Sequence, residues 1–333
     1  MTPMSVITRQ ATRTSNDKVN IITGPTHESY ETGLCGTNFN FYALAHESFK
    51  TWNSSFRPVP SNYHLLKGLN VPFNVDCDVI LSQNKFGQFQ VLAPMSSRFN
   101  LPLVSLEHTL PIPAWPKQMR EHVKQMRGHL NVFISEFSVK EWGFSLDDDT
   151  VRVIEHGVDT ELFKPGTQEK KNRVLSVVND WMNRDWCCNF SGYVRTASNL
   201  PCYVLGNTPG LSKPASSTEE LVKAYQESTV FYNTSTISPI PSALLEAMSC
   251  GCAIVTTATC MIPDVIHNGE NGFISNDEGE LTKYLNLLLK DTDLAIKLGH
   301  AARQTILDRF KLDRFVDDWS KLLREAASIN GCH

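Results

Sequence analysis

Short apolar runs alternate with helix-length amphipathic segments twice over along this chain, and that repetition admits few architectures. Lys18–Thr23, Asp78–Ser82, Leu103–Leu106, Asn131–Ile134 and Val151–Ile154 read as strands of one sheet. At residues 156–165 (His-Gly-Val-Asp-Thr-Glu-Leu-Phe-Lys-Pro) the pattern breaks and runs into a charged stretch, 166–173. A second series opens with Val174–Val178 and continues through Tyr203–Leu205, Val230–Tyr232 and Ala253–Thr257, with helices expected at Thr218–Ser228 and Ser242–Ser249. From Glu278 onward the pattern is helical, with Leu281, Leu285, Leu288 and Leu289 on one face. Strands separated by helices pair in parallel, because a parallel crossover needs a helix's worth of chain. The expected class is therefore α/β, with two doubly wound, Rossmann-like domains that bind ligands at the carboxyl ends of their strands, in a cleft between them. The expected domains are 18–157 and 174–309, joined by a linker at 158–173. A loose tail is expected at 1–17, and a last helix within 310–333 that crosses back to the first domain.

The 333 residues, 41% hydrophobic and 20% charged, suffice for two globular cores. A net charge of −4 argues against broad wrapping by nucleic acid and leaves a local basic groove open. No run approaches the roughly 18 apolar residues of a membrane span, so no membrane span is expected. Nine cysteines without framework spacing fit free thiols in a reducing compartment, so a cytoplasmic location is expected. Ser138 followed by Glu141 is a capping-box pattern for a short helix that stops near Gly143. Asp147–Asp149 has the spacing of a metal-binding acidic motif but reads as a solvated turn. Cys250, Cys252, Cys260 and His267 fall across a helix end, a strand and a loop, so no zinc site is expected; no other metal and no cofactor is expected either. Cys187 and Cys188 read as buried packing.

The most informative stretch is Ile237–Gly251. Pro241 suits the first position of a helix, where a missing N–H costs nothing. The N–H groups of Ser242 and Ala243 then point out of the helix start, and with the dipole they form a seat for a phosphate. Glu246 lies one turn further in, within reach of a ribose.

The run Leu-Glu-Ala-Met-Ser-Cys-Gly-Cys-Ala-Ile-Val, then Ile262-Pro-Asp-Val-Ile, then Asn268-Gly-Glu-Asn-Gly-Phe273, closely resembles the donor-binding region of glycosyltransferase family 4. That resemblance spans residues 131–310, thins before them, and implies a GT-B fold and a nucleotide-sugar donor. It implies that Glu246 binds the nucleotide ribose and that the Ser242 and Ala243 backbone holds the pyrophosphate. Where the family has a second acid, eight residues before the ribose Glu, this chain has Ser238, and the nearby Phe-Gly reads Ile240-Pro241. Where the family has an Arg and a Lys five residues apart to neutralise the leaving diphosphate, this chain has Asn179 and Arg184. The resemblance also implies retention of anomeric configuration without a metal, with His108, after the strand Leu103–Leu106, beside the donor sugar. Gly33 and Gly36 stand where the family has a glycine pair in the first strand-to-helix loop.

His27, in Thr26-His27-Glu28 of that loop, and Phe39–Tyr42, read as a helix start, resemble phage-encoded members; the location is then the host cytoplasm. The expected function is a retaining glycosyltransferase acting on a glycan or on a hydroxymethylated DNA base. The alternatives are a catalytically silent nucleotide-sugar-binding protein of the same fold and, third, a nucleotide-sugar epimerase. A DNA acceptor needs cations, and Lys85, Arg98, Lys117, Arg120, Lys124 and Arg127 are the candidates, the last four read as a stripe on one helix.

Overall fold

A computed structural model describes residues 17–72 and 75–329. The tail expected at 1–17 lies, but for Asp17, outside the described residues. The chain divides into two compact units, one of residues up to Glu155 together with those from Asp313 onward, the other His156–Leu312.

The first unit carries a seven-stranded sheet of β1 (Asn20–Thr23), β2 (Asn40–Ala43), β3 (Tyr63–Leu65), β4 (Val79–Ser82), β5 (Leu103–Glu107), β6 (Leu130–Phe133) and β7 (Val151–Val153). Every pairing is parallel and the order is β3-β2-β1-β4-β5-β6-β7, so the direction of winding reverses between β1 and β4. β4 and β5 are buried along their whole length, as continuous apolar runs covered on both faces should be. Its helices are α1 (Glu28–Leu34), α2 (Gln90–Phe99), α3 (Lys117–Lys124) and α4 (Glu136–Glu141).

The second unit carries a five-stranded parallel sheet of β8 (Lys171–Val177), β9 (Cys202–Leu205), β10 (Ser228–Asn233), β11 (Ala253–Thr256) and β12 (Phe273–Ile274), in the order β12-β11-β10-β8-β9. The winding reverses between β8 and β10, which is where such sheets open a crevice for ligands. Its helices are α5 (Asp185–Cys188), α6 (Phe190–Ala197), α7 (Thr218–Gln226), α8 (Ser242–Ser249), α9 (Glu278–Lys290) and α10 (Thr292–Arg309). The last helix, α11 (Leu312–Ser328), belongs to the first unit. Phe315, Trp319, Leu322, Leu323 and Ala326 form its buried stripe, and the Trp319 indole donates to the Tyr30 hydroxyl at 3.1 Å.

Four sequence expectations are corrected by these elements. Phe39–Tyr42 is no helix start: Asn40–Ala43 is β2, its alternating burial matching a two-residue period. The helix Glu136–Glu141 is capped by Ser135, which holds an extended backbone and accepts from the Ser138 N–H at 3.0 Å; Ser138 is inside the helix. The segment 158–173 lies within the second unit, for Val158 bonds to Phe310 and Leu312 and β8 already starts at Lys171. Arg127 lies beyond the end of α3, where it pairs with Asp148 and stacks on Phe144.

Candidate functional site

In the second unit the loops after β8, β9 and β10 are tied together by hydrogen bonds. Gly206, just past β9, has φ +119°, and a Cβ there would lie 2.0 Å from the Val178 carbonyl, so only glycine lets the two loops close up. The Asn179 side chain fastens the same junction by accepting from the Asn207 N–H at 2.8 Å. Arg184 is exposed at the start of α5, one guanidinium nitrogen 3.4 Å from the Asn179 carbonyl. The carbonyl of Cys187 accepts from Thr236 N–H at 2.8 Å and Ile237 N–H at 3.2 Å, and that of Cys188 from the Thr234 hydroxyl at 2.7 Å. These bonds draw the loop carrying Ser238, which is half-buried, towards the segment carrying Arg184.

The same loop enters α8. Pro241 is the cap residue, at φ −69° and ψ 131°, and not the first helical position as its chemistry led us to expect. Its side chain cannot bond the helix start, and the first N–H groups to reach a backbone acceptor are those of Leu244 and Leu245, both on the Pro241 carbonyl. The Ser242 and Ala243 N–H groups precede that bond, at residues that are only partly buried. Glu246, one turn on, is buried to 9% exposure and accepts from the Tyr225 hydroxyl at 3.0 Å. Tyr225 is itself fully buried beneath it. Gly251, at φ +73°, ends α8 as expected.

In the first unit, the ends of β1, β4 and β5 meet around a polar cluster. Glu31 is fully buried on α1 and accepts from four donors: the N–H groups of Thr26 and His27 at 2.9 and 3.0 Å, the Gln83 amide at 2.7 Å, and the Tyr63 hydroxyl. Burial pushes its carboxyl pKa up against these donors. The Gln83 amide nitrogen also faces the Gly24 carbonyl, so its oxygen is turned to His108 Nε2 at 3.3 Å. That orientation lets Nε2 donate to the Gln83 oxygen, which puts the proton on Nε2 whenever the ring is neutral. Tyr30 meets the His108 ring edge-on at 4.5 Å between centroids, and His27 stacks over it at 6.4 Å.

His27 and His108 therefore come together, whereas Gly33 and Gly36 do not join them. The strand-to-helix loop is only Gly24–His27; Gly33 is inside α1, and Gly36 sits in the short turn after it. A Cβ on Gly36 would lie 2.7 Å from Val316 of α11, so that glycine serves helix packing. Tyr225, Gly206, Gln83 and Glu31 were not singled out from the sequence. Gln83 alone had a usable signal, as the residue just past the end of β4.

Lys85, expected to face a nucleic acid, is 1% exposed, with its ammonium 2.5 Å from the Met126 carbonyl and surrounded by Phe89, Trp142 and Phe144. Its charge partner is Glu107, 2% exposed, whose pKa burial pushes up to about 8 while Lys85 pulls it down. Among the described residues no three His, Cys, Asp or Glu side chains converge in a metal-binding group, and no helix is long and apolar enough to cross a membrane. Cys187 and Cys188 are buried, their sulfurs 3.7 Å apart.

Residues 213–305, which contain the start of α8 and Glu246, match the family described as glycosyl transferases group 1. Over 92% of its length this chain superposes on all of Anabaena HepE, whose crystal structure is in complex with UDP and glucose, with a TM-score of 0.73 at 15% identity. The chain has the GT-B fold. A second GT-B structure, sucrose-phosphate synthase from Thermosynechococcus elongatus, superposes over 92% of this chain and 99% of its own, with a TM-score of 0.68 at 14% identity. In sequence, the chain is similar to alpha-maltose-1-phosphate synthase of Mycolicibacterium smegmatis, 23% identical over 55% of this chain and 59% of that protein. It is also similar to N-acetyl-alpha-D-glucosaminyl L-malate synthase of Bacillus anthracis, 32% identical over 24% of this chain and 21% of that protein. The chain thus spans less than two thirds of the length of each of these two relatives. In GT-B terms, the Glu246 cluster belongs to the unit that includes the group 1 match and the His108 cluster to the other.

Proposed function

We propose that this chain is a glycosyltransferase that moves a sugar from a nucleotide-sugar donor to an acceptor hydroxyl with retention of anomeric configuration. The observation that carries this reading is Glu246: a buried carboxylate one turn inside a helix whose cap residue has no side-chain bond to offer, held in place by Tyr225. Such a helix start presents N–H groups and a positive dipole end to a diphosphate, and the carboxylate accepts from ribose hydroxyls. Arg184 adds a fixed cation for the charge that grows as the diphosphate leaves. The complexes of HepE with UDP and with UDP-glucose support a uridine nucleotide-sugar as the first donor to try. No metal enters this reading, since helix start and guanidinium together meet the diphosphate charge.

The acceptor under this reading is a saccharide rather than DNA. Of the six cations considered for a DNA groove, Lys85 is buried and Arg127 is paired with Asp148. Arg98 lies at the carboxyl end of α2, and so at the opposite edge of the sheet from the loop that leads into Lys117. One observation favours the second reading, a donor-binding protein without turnover: the neutral Ser238 on the loop where the family carries an acid.

The purified protein is expected to consume UDP-glucose, or another member of a donor panel, and to give a product whose proton NMR coupling shows the donor's own anomeric configuration. EDTA is expected to leave the rate unchanged. An inverted linkage, or activity lost to chelator and restored by a divalent cation, would overturn the assignment. Donor binding with no transfer to any acceptor would instead favour the silent binding protein.

The His108 cluster makes a separate expectation. Gln83→Ala removes the acceptor that fixes the His108 tautomer, so kcat is expected to fall about tenfold with little change in donor KM, less than the roughly 10²–10⁴-fold of losing a general acid–base group because the imidazole itself remains. The pH–rate profile should shift with it. Wild-type kcat and pH profile in Gln83→Ala would place His108 outside the reacting centre.

A further inference from the structure

The first unit holds a cavity of about 550 Å³ lined by Pro111, Trp115, Lys117, Arg120, Glu121 and Trp142, among others. That volume is within the range of small-molecule sites. Lys117, Arg120, Glu121 and Lys124 are spaced i, i+3, i+4 and i+7 on α3, and all four line the cavity. A helix ordinarily gives such a stripe to an apolar core. Here the stripe is charged and only Val123 of the helix is buried. The helix start adds to the positive end of the cavity. Its cap, Pro116, makes no side-chain bond, the first turn has no acid, and the first backbone acceptor is reached only by Arg120 N–H. Arg120 is not free to wander, for the carbonyls of Trp115 and Pro113 hold its guanidinium over the loop. Beside these cations stand two indoles with centroids 6.2 Å apart. Trp115 is half-buried, and Trp142 is fixed by donating to the Thr109 carbonyl at 2.9 Å.

We propose that this cavity binds a phosphorylated saccharide. The phosphate sits at the start of α3 on Lys117 and Arg120, through charge-assisted hydrogen bonds and the helix dipole. The apolar face of the pyranose covers Trp115, and sugar hydroxyls donate to Glu121 and Glu141 at the cavity wall. The loop 109–116 that forms one wall follows directly on His108, and under the proposed transferase reading the sugar phosphate is the acceptor. That role rests on the proposed transferase reading; the binding itself does not.

The test is calorimetric titration of the full chain with glucose 1-phosphate, glucose and inorganic phosphate. Glucose 1-phosphate is expected to bind at one site, with neutral glucose and inorganic phosphate each at least about tenfold weaker, since each lacks one half of the recognition. Lys117→Ala and Trp115→Ala are each expected to weaken it about tenfold, while Trp115→Phe keeps an aromatic face and retains most of the affinity. UDP-glucose affinity should be the same in all three variants. The proposal is overturned by any of four results: no saturable binding of glucose 1-phosphate, equal binding of glucose or phosphate alone, wild-type affinity in both alanine variants, or displacement by a short DNA duplex that binds more tightly at low salt. If UDP-glucose fails to bind while glucose 1-phosphate behaves as described, the donor assignment fails and this site stands.

Discussion

Replacing Glu246 by alanine is expected to weaken nucleotide-sugar binding about tenfold to a hundredfold, the equivalent of roughly 1.5–3 kcal/mol for a hydrogen bond to a charged group. Two things are lost together, one felt in donor affinity and one in stability. The ribose loses its acceptor, and the buried Tyr225 hydroxyl loses the carboxylate it donates to at 3.0 Å. Glu246→Gln keeps a carbonyl oxygen for Tyr225 and should recover stability more than donor affinity. Arg184→Ala separates the steps differently: it is expected to depress turnover more than donor binding, because guanidinium meets charge that grows in the transition state. Titration with UDP-glucose, with kcat and KM measured on the same preparations, checks both. Unchanged donor affinity in Glu246→Ala together with unchanged turnover in Arg184→Ala would remove the donor site from this position.

Lys85→Met is the substitution expected to cost the first unit most. Removing the Lys85 ammonium takes away the charge that offsets the burial of ionised Glu107 and leaves the Met126 carbonyl without its donor, a cost of about 1–3 kcal/mol. Glu107 is poorly placed to bear the loss, because one of its carboxylate oxygens has no hydrogen-bond partner among the described residues. The pH dependence follows from the sign of its shift. Its folded pKa, about 8, is raised above the ordinary 4.5, so the protonated form is favoured on folding. The stability this contributes is complete below 4.5 and is lost as pH rises through 8. The deficit of Lys85→Met against wild type should therefore be smaller at pH 5 than at pH 8 in urea unfolding. Adding Glu107→Leu should restore most of it at both. Equal deficits at the two pH values, or no deficit, would show that the two side chains do not act as a pair.

The helix that carries Glu246 was legible from residue order because its parts are local, while its nucleotide-sugar role was implied by the family resemblance alone. A helix start, a carboxylate one turn in and a terminating glycine all lie within Pro241–Gly251, and helical periodicity alone puts them in register. The strand series was legible for the same reason, since a strand buried on both faces is a continuous apolar run such as Val79–Ser82 or Leu103–Glu107. Two short strands on one side of the sheet were not. Asn40–Ala43 and the edge strand Tyr63–Leu65 carry mixed residues, and only pairing with a neighbour makes them strands.

What tertiary structure alone decided is which partner each polar side chain meets. Lys85 and Arg127 read in sequence as cations for a nucleic-acid groove, yet one is sealed against Met126 and the other pairs with Asp148. Gly36 read as a ligand loop and is a contact for Val316, from the far end of the chain. Gln83 joins His108 to Glu31 across three strand ends, a relation that no spacing encodes. Periodicity fixes which face of an element is buried, because that is a property of the element itself. The identity of the group across the gap depends on strand order and crossover, and only the folded chain supplies those.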